Sequence, residues 1–510
     1  MEMHYSSNEN VNNALFFLIF VFMLVIILAK IKLRRTSAPI PPGPFSWPVI
    51  GNLLQLRSNP HIKLKNMAQT YGPIMSLRLG ARLVVVGLSP KAASEILKTH
   101  DSILSARHLS YTHPSSSPKL NKFAIGFAKE CNEHWKNLRS ICRVGLFSAR
   151  AVQSQVKIRE KNVANLVKYL HTKEGEVVDM SDLIFKLTLN TMGNILFSMD
   201  LFEFGPEENH SPGAQLKVLI AKFINLLASP NLADIFPILR RWDIQGKQKM
   251  AKDIHEKMFT IWNQTLKERR EKKNIIREDF LDTLLDIGFN DDQINHLLLE
   301  LLLAGTDTTK IIIIWALSNL IKNKNEMYKV RVELQTNIGD KILEESDIMV
   351  LPYLQACVKE TIRMHPPIPF LLPHRATETC NVMNFTIPKG SQVLVNTWAM
   401  ANDPSIWDDP SSYRPERFLD SGIDFKGNNF EFVPFGLGRR MCPGLPMAFA
   451  QVQYVVVCLV NTFNWFVPRD NDLDELDMEE VYHLAMRKKN PLEVIPRAVN
   501  QWIDIMKIGE

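Results

Sequence analysis

Residues 435–444 read Phe-Gly-Leu-Gly-Arg-Arg-Met-Cys-Pro-Gly and stand in an irregular region, directly before a long apolar helical segment. A cysteine thiolate that binds a metal inside a flat macrocycle needs a backbone that can approach the ring, and Gly438 and Gly444 permit that approach. It also needs N–H donors near the sulfur, which the turn and the start of the next helix supply. Arg440 offers a cation for the carboxylates of the macrocycle. The pattern predicts that Cys442 is a metal ligand, and the alternative is a buried structural cysteine beside a turn.

The decapeptide resembles the haem-binding signature FxxGxRxCxG of the cytochrome P450 family, which is complete at Phe435, Gly438, Arg440, Cys442 and Gly444. Five fixed residues at average usage match by chance roughly once in a few million positions. The resemblance implies the cytochrome P450 fold, which is mainly α-helical with small β-sheets. It also implies haem b as the cofactor, with the Cys442 thiolate as the axial ligand of the iron and the other four residues around the haem.

Two further motifs resemble those of the family and imply a buried salt bridge. Glu360 and Arg363 match the ExxR motif, and residues 415–418 (Pro-Glu-Arg-Phe) match the PERF segment. Read alone, a charge pair at i,i+3 is usually a solvated helix face. Because the pair stands before Pro366-Pro367 and ahead of a matching PERF segment, the resemblance predicts that Glu360 and Arg363 lock onto Arg417.

Three more residues resemble family positions that contact the haem propionates. Trp135 and Arg139 stand at i,i+4 on one predicted helix face and resemble the WxxxR pair. Arg375 lies where the family often places another propionate partner. The resemblance therefore adds Trp135, Arg139 and Arg375 to the predicted cofactor-binding residues.

Residues 304–309 (Ala-Gly-Thr-Asp-Thr-Thr) interrupt a long apolar segment with a glycine and an acid, both of which cost helix stability. That cost in a buried helix suggests function, and the alternative is a helix kink with a solvated aspartate. The stretch resembles the AGxDT(T/S) motif of the family. The resemblance implies that Ala304 and Gly305 leave room for dioxygen, that Thr308 holds a water, and that Asp307 relays protons inward.

Two positions depart from the family pattern. Residues 310–314 (Lys-Ile-Ile-Ile-Ile) replace a Ser/Thr-rich run and the acid that relatives commonly carry before Trp315. Lys310 follows Thr308 by about 200° around a helix, so we expect it to point away from the haem. His483 occupies a turn where relatives commonly carry glycine. That turn resembles a substrate-contact loop, although a lone histidine is more often structural.

An apolar segment near the N-terminus predicts a membrane anchor. Residues 14–29 are apolar and uncharged, and residues 30–35 are rich in lysine and arginine. A cleaved signal peptide is disfavoured, because the first ten residues contain Glu2 and Glu9 but no lysine or arginine. The positive-inside rule then gives a lumenal N-terminus and a cytosolic domain, which the resemblance assigns to the endoplasmic reticulum membrane. The predicted order is a lumenal tail (1–13), a single transmembrane helix (14–33), a Pro-rich hinge (34–48) and a cytosolic haem-binding catalytic domain (49–510).

The composition of the chain is that of one large globular unit. Hydrophobic residues make up 46% and charged residues 22%, which is ordinary for a folded domain. The net charge of +6 is spread along the chain and mixed with acids, so nucleic acid is not an indicated partner. Six cysteines without a CxxC pair argue against a disulfide scaffold and a zinc site. Periodicity predicts a hairpin at 75–90 and helices at 152–170, 214–227, 254–273, 294–322 and 446–462.

The resemblance implies a haem-thiolate monooxygenase that uses O2 and takes electrons from NADPH-cytochrome P450 reductase. Lys136, Arg139, Arg143 and Arg439 are predicted to form a basic face for that reductase. A haem-thiolate isomerase that needs no reductase and a non-catalytic haem protein are the alternatives. The intact Asp307-Thr308 pair argues against both.

The substrate class follows from residues 370–389, which look most like plant enzymes of alkaloid pathways. The predicted substrate is a small apolar or amine metabolite, such as a benzylisoquinoline or a tropane ester of the littorine type. A monoterpenol or a diterpene is the alternative, and hydroxylation, rearrangement and coupling all stay open. Glu300 is a candidate partner for a protonated amine, and the alternative is that it caps internal hydrogen bonds.

Overall fold

Helices make up most of the chain, in a computed structural model that describes residues 39–205, 211–271, 279–468 and 476–499. The predicted lumenal tail and transmembrane helix lie outside these residues. The α-helices are α1 Pro60–Tyr71, α2 Pro90–Ser94, α3 Asp101–Leu104, α4 Pro118–Asn121, α5 Glu133–Cys142, α6 Ala149–Ser154, α7 Val156–His171, α8 Met180–Phe197, α9 Pro212–Ala228, α10 Leu232–Ile235, α11 Lys247–Glu271, α12 Phe280–Asp286, α13 Asp291–Lys322, α14 Lys324–Asn337, α15 Pro352–Met364, α16 Thr397–Ala401 and α17 Leu445–Thr462.

Short strands form four small sheets among the described residues. The strands are β1 Ile74–Leu79, β2 Arg82–Gly87, β3 Ala106–Arg107, β4 Val178–Asp179, β5 His374–Arg375, β6 Cys380–Val382, β7 Phe385–Ile387, β8 Gln392–Val395, β9 Phe463–Phe466, β10 Glu480–Tyr482, β11 Met486–Lys488 and β12 Glu493–Ala498. The sheet orders are β1-β2-β8-β5-β3, β4-β12-β9, β6-β7 and β10-β11. The fold is therefore mainly α-helical with small sheets, as the sequence predicts.

Helix α13 runs through the centre of the molecule. Its start is fixed by a capping box, in which the Asn290 side chain accepts from the Gln293 N–H and the Gln293 side chain accepts from the Asn290 N–H. Asp291 and Asp292 in the first turn and Lys322 in the last suit the helix dipole. Its first half packs with α8, α9 and α11, and its second half packs with α15 and α17. Helix α13 therefore contributes residues to both of the two largest apolar clusters.

The five-stranded sheet brings distant basic residues together. The predicted hairpin is confirmed as β1 and β2, which pair antiparallel from Ile74↔Gly87 to Leu79↔Arg82. Strand β2 pairs parallel with β8, and β8 pairs antiparallel with β5. Strand β5 in turn pairs with β3 in the register Ala106↔Arg375 and Arg107↔His374. Arg107 and Arg375 therefore lie on neighbouring strands although they are far apart in the chain.

Residues 39–48, which belong to the predicted hinge, pack against the five-stranded sheet. The hydroxyl of Ser76 donates to the Pro41 carbonyl (2.7 Å), and its backbone N–H donates to the Pro42 carbonyl (2.8 Å). A Cβ on Gly43 would lie 1.8 Å from the Ser76 carbonyl oxygen, so only glycine allows this approach. The proline-rich stretch is held by the sheet, which gives it a fixed direction.

The predicted salt bridge of Glu360, Arg363 and Arg417 is present, and we call it the Glu360 triad. Arg363 Nε lies 2.7 Å from Glu360 Oε2, and both side chains are 0% exposed. Arg417 Nε lies 3.2 Å from Glu360 Oε1. Arg363 also donates to the Ala401 carbonyl (2.6 Å). The triad joins α15 to the Pro415–Phe418 turn and to the end of α16, so it ties three segments at one buried point.

The predicted helices are found with shifted ends. The segment 152–170 is divided at Gln155 between α6 and α7, and 294–322 starts three residues earlier in α13. The segments 214–227 and 446–462 are α9 and α17, each slightly longer than predicted, while 254–273 corresponds to α11 as far as Glu271. Among the described residues, Pro212–Ile235 and Leu445–Thr462 are long and apolar enough to cross a membrane by length and composition. The second of them, α17, is largely a core helix.

Candidate functional site

The loop that carries Cys442 is closed by backbone contacts and opens onto the start of α17. The Cys442 N–H donates to the Phe435 carbonyl (2.9 Å). The Cys442 side chain is exposed although the residue lies deep in the protein, so it faces open space inside the fold. Burial raises the pKa of the Cys442 thiol, while the N–H groups of Gly444 and Leu445 and the charge of Arg139 lower it. These donors are the ones that the sequence predicts for stabilising a thiolate.

The two signature glycines meet different requirements. Gly438 has a φ of +69°, and a Cβ there would lie 2.5 Å from the Leu97 carbonyl oxygen. Glycine is therefore needed at this position for packing within the protein. A Cβ on Gly444 would lie 3.5 Å from Phe147 and 4.0 Å from the Cys442 sulfur, which leaves ordinary van der Waals room. Phe435 is half-buried and packs edge to face on Phe425, and this contact anchors the loop to the rest of the protein.

Four arginines collect beside this loop, and we call Arg107, Arg139, Arg375 and Arg440 the arginine cluster. Arg440 is buried and donates to the carbonyls of Ser105 (2.8 Å), Ile125 (2.9 Å) and Ala128 (2.6 Å). A guanidinium has five N–H donors, so two stay available for another acceptor. The result is a cation fixed in position with donors to spare.

Trp135 and Arg139 lie next to one another on α5, as predicted. The Trp135 indole N–H donates to the Ile125 carbonyl (2.9 Å), which Arg440 also uses. Arg440 and Arg139 lie 4.8 Å and 5.5 Å from the centre of the Trp135 ring, within the range of cation–π attraction. Arg139 also donates to the Met441 carbonyl (2.6 Å), directly before Cys442. Trp135 therefore holds two of the cluster's cations in place.

Arg375 and Arg107 complete the cluster from the sheet. Arg375 is half-buried and lies 3.4 Å from the exposed carboxylate of Glu130, a long contact that leaves it largely unneutralised. Arg107 is buried and donates to the carbonyls of Gly126 (3.0 Å) and Leu372 (2.8 Å). Burial lowers the pKa of Arg107, and the neighbouring Arg440 lowers it further. The sequence prediction missed Arg107, because no local pattern around it indicates a role.

The residues fit haem b. The four guanidinium groups carry more positive charge than the nearby acids offset, since Asp101 is paired with Arg439 (2.9 Å) and Glu130 is exposed. The buried Glu300 attracts Arg107 and Arg440, but it is one carboxylate beside four cations. Two propionates are the counter-charge that such a cluster suits, because arginine binds carboxylates with paired, charge-assisted hydrogen bonds. The exposed thiol of Cys442 lies in the same region and supplies a soft metal ligand. When bound, haem b supplies an iron that binds dioxygen and accepts electrons one at a time.

The centre of α13 presents a second open position. Ala304 is exposed although most of its helix is buried, and Thr308 one turn later is half-buried. The Thr308 hydroxyl donates to the Ala304 carbonyl (2.7 Å), so its lone pairs are left to accept a hydrogen bond. Helix α13 is continuous through residues 304–309. Thr308 can therefore hold a water beside the space that Ala304 leaves.

Gly305 has a role that differs from the prediction. A Cβ at this position would lie 2.7 Å from the sulfur of Met192 on α8. Glycine at this position thus allows α8 and α13 to approach each other closely, and Met192 occupies the space that a side chain at 305 would need. Of the two small residues that were expected to leave room for dioxygen, the exposed Ala304 is the one that opens space.

Asp307 and Lys310 form an ion pair on α13. Lys310 Nζ lies 3.1 Å from Asp307 Oδ1, an i,i+3 contact. The prediction that Lys310 follows a different face from Thr308 agrees with this position, but its partnership with Asp307 was not foreseen. Asp307 therefore carries a cationic neighbour at the point where the family motif departs from its usual sequence.

Glu300 has a structural partner, which disfavours the amine-anchor prediction. Its carboxylate accepts the backbone N–H groups of Ile125, Gly126 and Phe127, with Ile125 at 3.0 Å and Phe127 at 3.2 Å. Burial raises the pKa of the Glu300 carboxyl, and these three donors oppose that rise. The alternative that Glu300 caps internal hydrogen bonds is the one the geometry supports. Its carboxylate fixes the loop whose Ile125 carbonyl receives Trp135 and Arg440.

The remaining predicted residues are spread over two surfaces. His483 is half-buried in the turn between β10 and β11, and its N–H donates to the Ala485 carbonyl (3.2 Å). Of the predicted basic face, Lys136, Arg143 and Arg439 are exposed, while Arg139 lies in the arginine cluster. Lys136 is paired with Glu133 and Arg439 with Asp101. The exposed face is therefore less basic than the sequence suggested.

The fold, the cysteine loop and the oxygen-side helix together define a class of protein. The chain belongs to the cytochrome P450 family, whose profile matches residues 41–495. It is accordingly a haem b monooxygenase that uses O2 and receives its electrons from a redox partner reductase.

Individual relatives show which members of the family the chain resembles. The chain is 44% identical over 485 residues to the probable (S)-N-methylcoclaurine 3′-hydroxylase isozyme 2 of Coptis japonica, covering 94% of this chain and 96% of the relative. It is 43% identical to corytuberine synthase of the same plant, covering 95% and 99% of the two chains. It is 38% identical to berbamunine synthase of Berberis stolonifera, covering 93% and 97%.

Proposed function

We propose that the protein oxidises a benzylisoquinoline alkaloid. The observation that carries this proposal is the similarity along nearly the whole chain to a hydroxylase of N-methylcoclaurine and to corytuberine synthase. Berbamunine synthase extends the same likeness at lower identity. Shared overall architecture alone would not indicate a substrate. Here the matched residues make up 94% and 95% of this chain, and residues 370–389 by themselves resemble plant enzymes of alkaloid pathways.

The reaction has one stoichiometry for each of its two forms. Hydroxylation converts a C–H bond, O2, two electrons and two protons into a C–OH group and one water. Oxidative coupling removes two hydrogens from the substrate and converts the same O2, electrons and protons into two waters. Both forms require two protons to reach oxygen, so a route for protons belongs to either function.

The residues of this chain have separate roles in that reaction. Cys442 would hold the haem iron through its sulfur, and the N–H groups of Gly444 and Leu445 would support the negative charge of its thiolate. The arginine cluster would bind the propionates and fix the orientation of the cofactor. Trp135, whose indole N–H is committed to the Ile125 carbonyl, holds Arg440 and Arg139 in place for that role rather than reaching the propionates itself, which is what the sequence had predicted. Thr308 accepts a hydrogen bond from a water, because its own proton is committed to the Ala304 carbonyl. Asp307 passes protons toward that water.

The protein acts at the cytosolic face of the endoplasmic reticulum, with residues 14–33 as the anchor and NADPH-cytochrome P450 reductase as the electron donor. Residues 14–29 are apolar and are followed by a basic segment. The large apolar side chains of Phe45, Trp47 and Val49 are exposed close to the predicted anchor, where a bilayer would cover them. In sealed microsomes, added protease is expected to digest the catalytic domain while detergent makes no difference to its cleavage.

A substrate panel tests the proposal. The full chain in microsomes with a plant reductase is given N-methylcoclaurine, other benzylisoquinolines, tropane esters, monoterpenols and diterpenes. Benzylisoquinolines are expected to shift the haem from low to high spin and to be consumed with NADPH. Cys442→Ser is the matched control, since it should abolish the red-shifted band of the reduced carbonyl complex.

Two results would overturn the proposal. Turnover of terpenes without any spin shift or reaction from the alkaloids would replace it with the terpenoid reading. Product formation without NADPH or reductase would instead indicate a haem-thiolate isomerase, and tight binding without NADPH consumption would indicate a non-catalytic haem protein.

A further inference from the structure

Lys310 is held between a carboxylate and an aromatic ring. Its Nζ lies 3.1 Å from Asp307 Oδ1, and the two side chains are only 19% and 20% exposed. The same ammonium lies 5.6 Å from the centre of the Phe185 ring on α8, within the range of cation–π attraction. Two attractive contacts therefore fix a lysine that stands three residues after Asp307.

Helix geometry gives the direction of this pair. At about 100° per residue, Thr308 lies about 40° to one side of Ala304, and Asp307 lies about 60° to the other side. Lys310 lies about 120° from Ala304 on the side of Asp307. The ion pair therefore draws the Asp307 carboxylate toward α8 and away from Thr308.

The surroundings favour a strong pair. The four residues after Lys310 are buried isoleucines, and Phe185 is also buried, so little water screens the charges. The charges near this part of α8 include Lys186 and Asp182, which lie 2.6 Å apart, and Lys217, which also pairs with Asp182. Asp307 and Lys310 are thus partners in a poorly solvated interface, and separating them has a cost.

We propose that Lys310 is a positioning residue that restrains Asp307 and so limits the delivery of protons to Thr308. This inference rests on the proposed role of Asp307 as a proton relay. With the carboxyl held by Lys310, the relay delivers a proton only when the pair opens. Replacing Lys310 with a neutral residue frees Asp307 to turn toward Thr308, whereas arginine preserves the pair.

Four variants of the holoenzyme test the proposal: Lys310→Met, Lys310→Arg, Asp307→Asn and the double variant Lys310→Met/Asp307→Asn. The first readout is the solvent deuterium isotope effect on product formation. Asp307→Asn should slow product formation on the order of a hundredfold and raise the isotope effect. Lys310→Met should lower the isotope effect toward one, and Lys310→Arg should match the unchanged protein. The double variant should behave as Asp307→Asn alone, because Lys310 acts through Asp307.

The second readout is thermal unfolding, which is independent of activity. Lys310→Met and Asp307→Asn should each lower the unfolding midpoint, and the double variant should lower it by less than the sum. Lys173→Met is the matched control, because it removes an exposed i,i+3 pair with Glu176 away from α13. It should leave the isotope effect unchanged.

Three outcomes would overturn the inference. If Lys310→Met has the same isotope effect as the unchanged protein, while the changes in unfolding midpoint are non-additive, the ion pair is purely structural. An equal effect of Lys310→Met with and without Asp307 would mean that Lys310 acts on its own. If Asp307→Asn changes neither the rate of product formation nor the isotope effect, Asp307 is not a proton relay. The spin shifts and turnover of the substrate panel would still decide the alkaloid proposal.

Discussion

The Glu360 triad and the arginine cluster both bury guanidinium groups, but their counter-charges differ. In the triad, Arg363 and Arg417 share the carboxylate of Glu360. In the cluster, Arg440 and Arg107 donate to backbone carbonyls, which are neutral. An arginine hydrogen-bonded to a carboxylate of the chain is part of the scaffold, while arginines bonded to neutral carbonyls, with Glu300 as a nearby acid, keep N–H donors for an outside anion. The chemistry of the counter-charge thus separates structural from ligand-binding arginines.

The largest expected effect comes from removing the carboxylate of the triad. Glu360→Gln leaves Arg363 and Arg417 buried without a counter-charge, and breaking a buried pair in this way costs about 3–5 kcal/mol. Urea unfolding of the haem-loaded protein measures the change. Asp408→Asn is the control, because it breaks an exposed pair with Arg414 and should cause a small fraction of that loss. Equal losses in the two variants would contradict the scaffold role of the triad.

A smaller loss of stability is expected at Glu300, whose carboxylate accepts backbone N–H groups and forms no ion pair with an arginine among the described residues. Glu300→Leu removes the acceptor of three N–H groups, and leaving buried donors unsatisfied costs about 1–3 kcal/mol. Glu300→Gln keeps one acceptor oxygen and should cost less. Unfolding and haem content measure both. If Glu300→Gln instead weakened only the spin shift with amine substrates, Glu300 would be an amine anchor and would belong with the ligand-binding residues.

The smallest effect on stability is expected in the cluster. Arg375→Gln removes one long contact with Glu130, so the unfolding free energy should change by less than about 1 kcal/mol. Haem should be lost faster, on the order of tenfold, because a hydrogen bond to a charged group contributes about 1.5–3 kcal/mol. Transfer of haem to a scavenging protein gives the rate, with Arg414→Gln as the control. An unchanged rate would remove Arg375 from the propionate-binding group.

Local sequence was sufficient for some of these features and not for others. The cysteine loop and the β1–β2 hairpin depend on residues close together in the chain, so their patterns predict them. Arg107 was missed because its acceptors Gly126 and Leu372 are 19 and 265 residues away, and a pattern at one position contains no record of them.

The same limit explains the two predictions about charge. The helical angle placed Lys310 away from Thr308, but the angle alone did not identify Asp307 as its partner. The sequence offers the carboxylate of Glu300 as a partner for a protonated amine, because Glu300 stands on the same predicted helix as Thr308. Its actual acceptor role involves a loop 173 to 175 residues distant, which only the folded chain brings near.

The close approach of α8 and α13 at Gly305 has an evolutionary consequence. A methyl group at position 305 would collide with the side chain of Met192, which is itself buried. A larger residue at 305 requires the Met192 side chain to shift or residue 192 to become smaller, so the effects of substitutions at the two positions are coupled. In a lineage that reshapes the wall beside Ala304, these two codons are therefore expected to change as a pair.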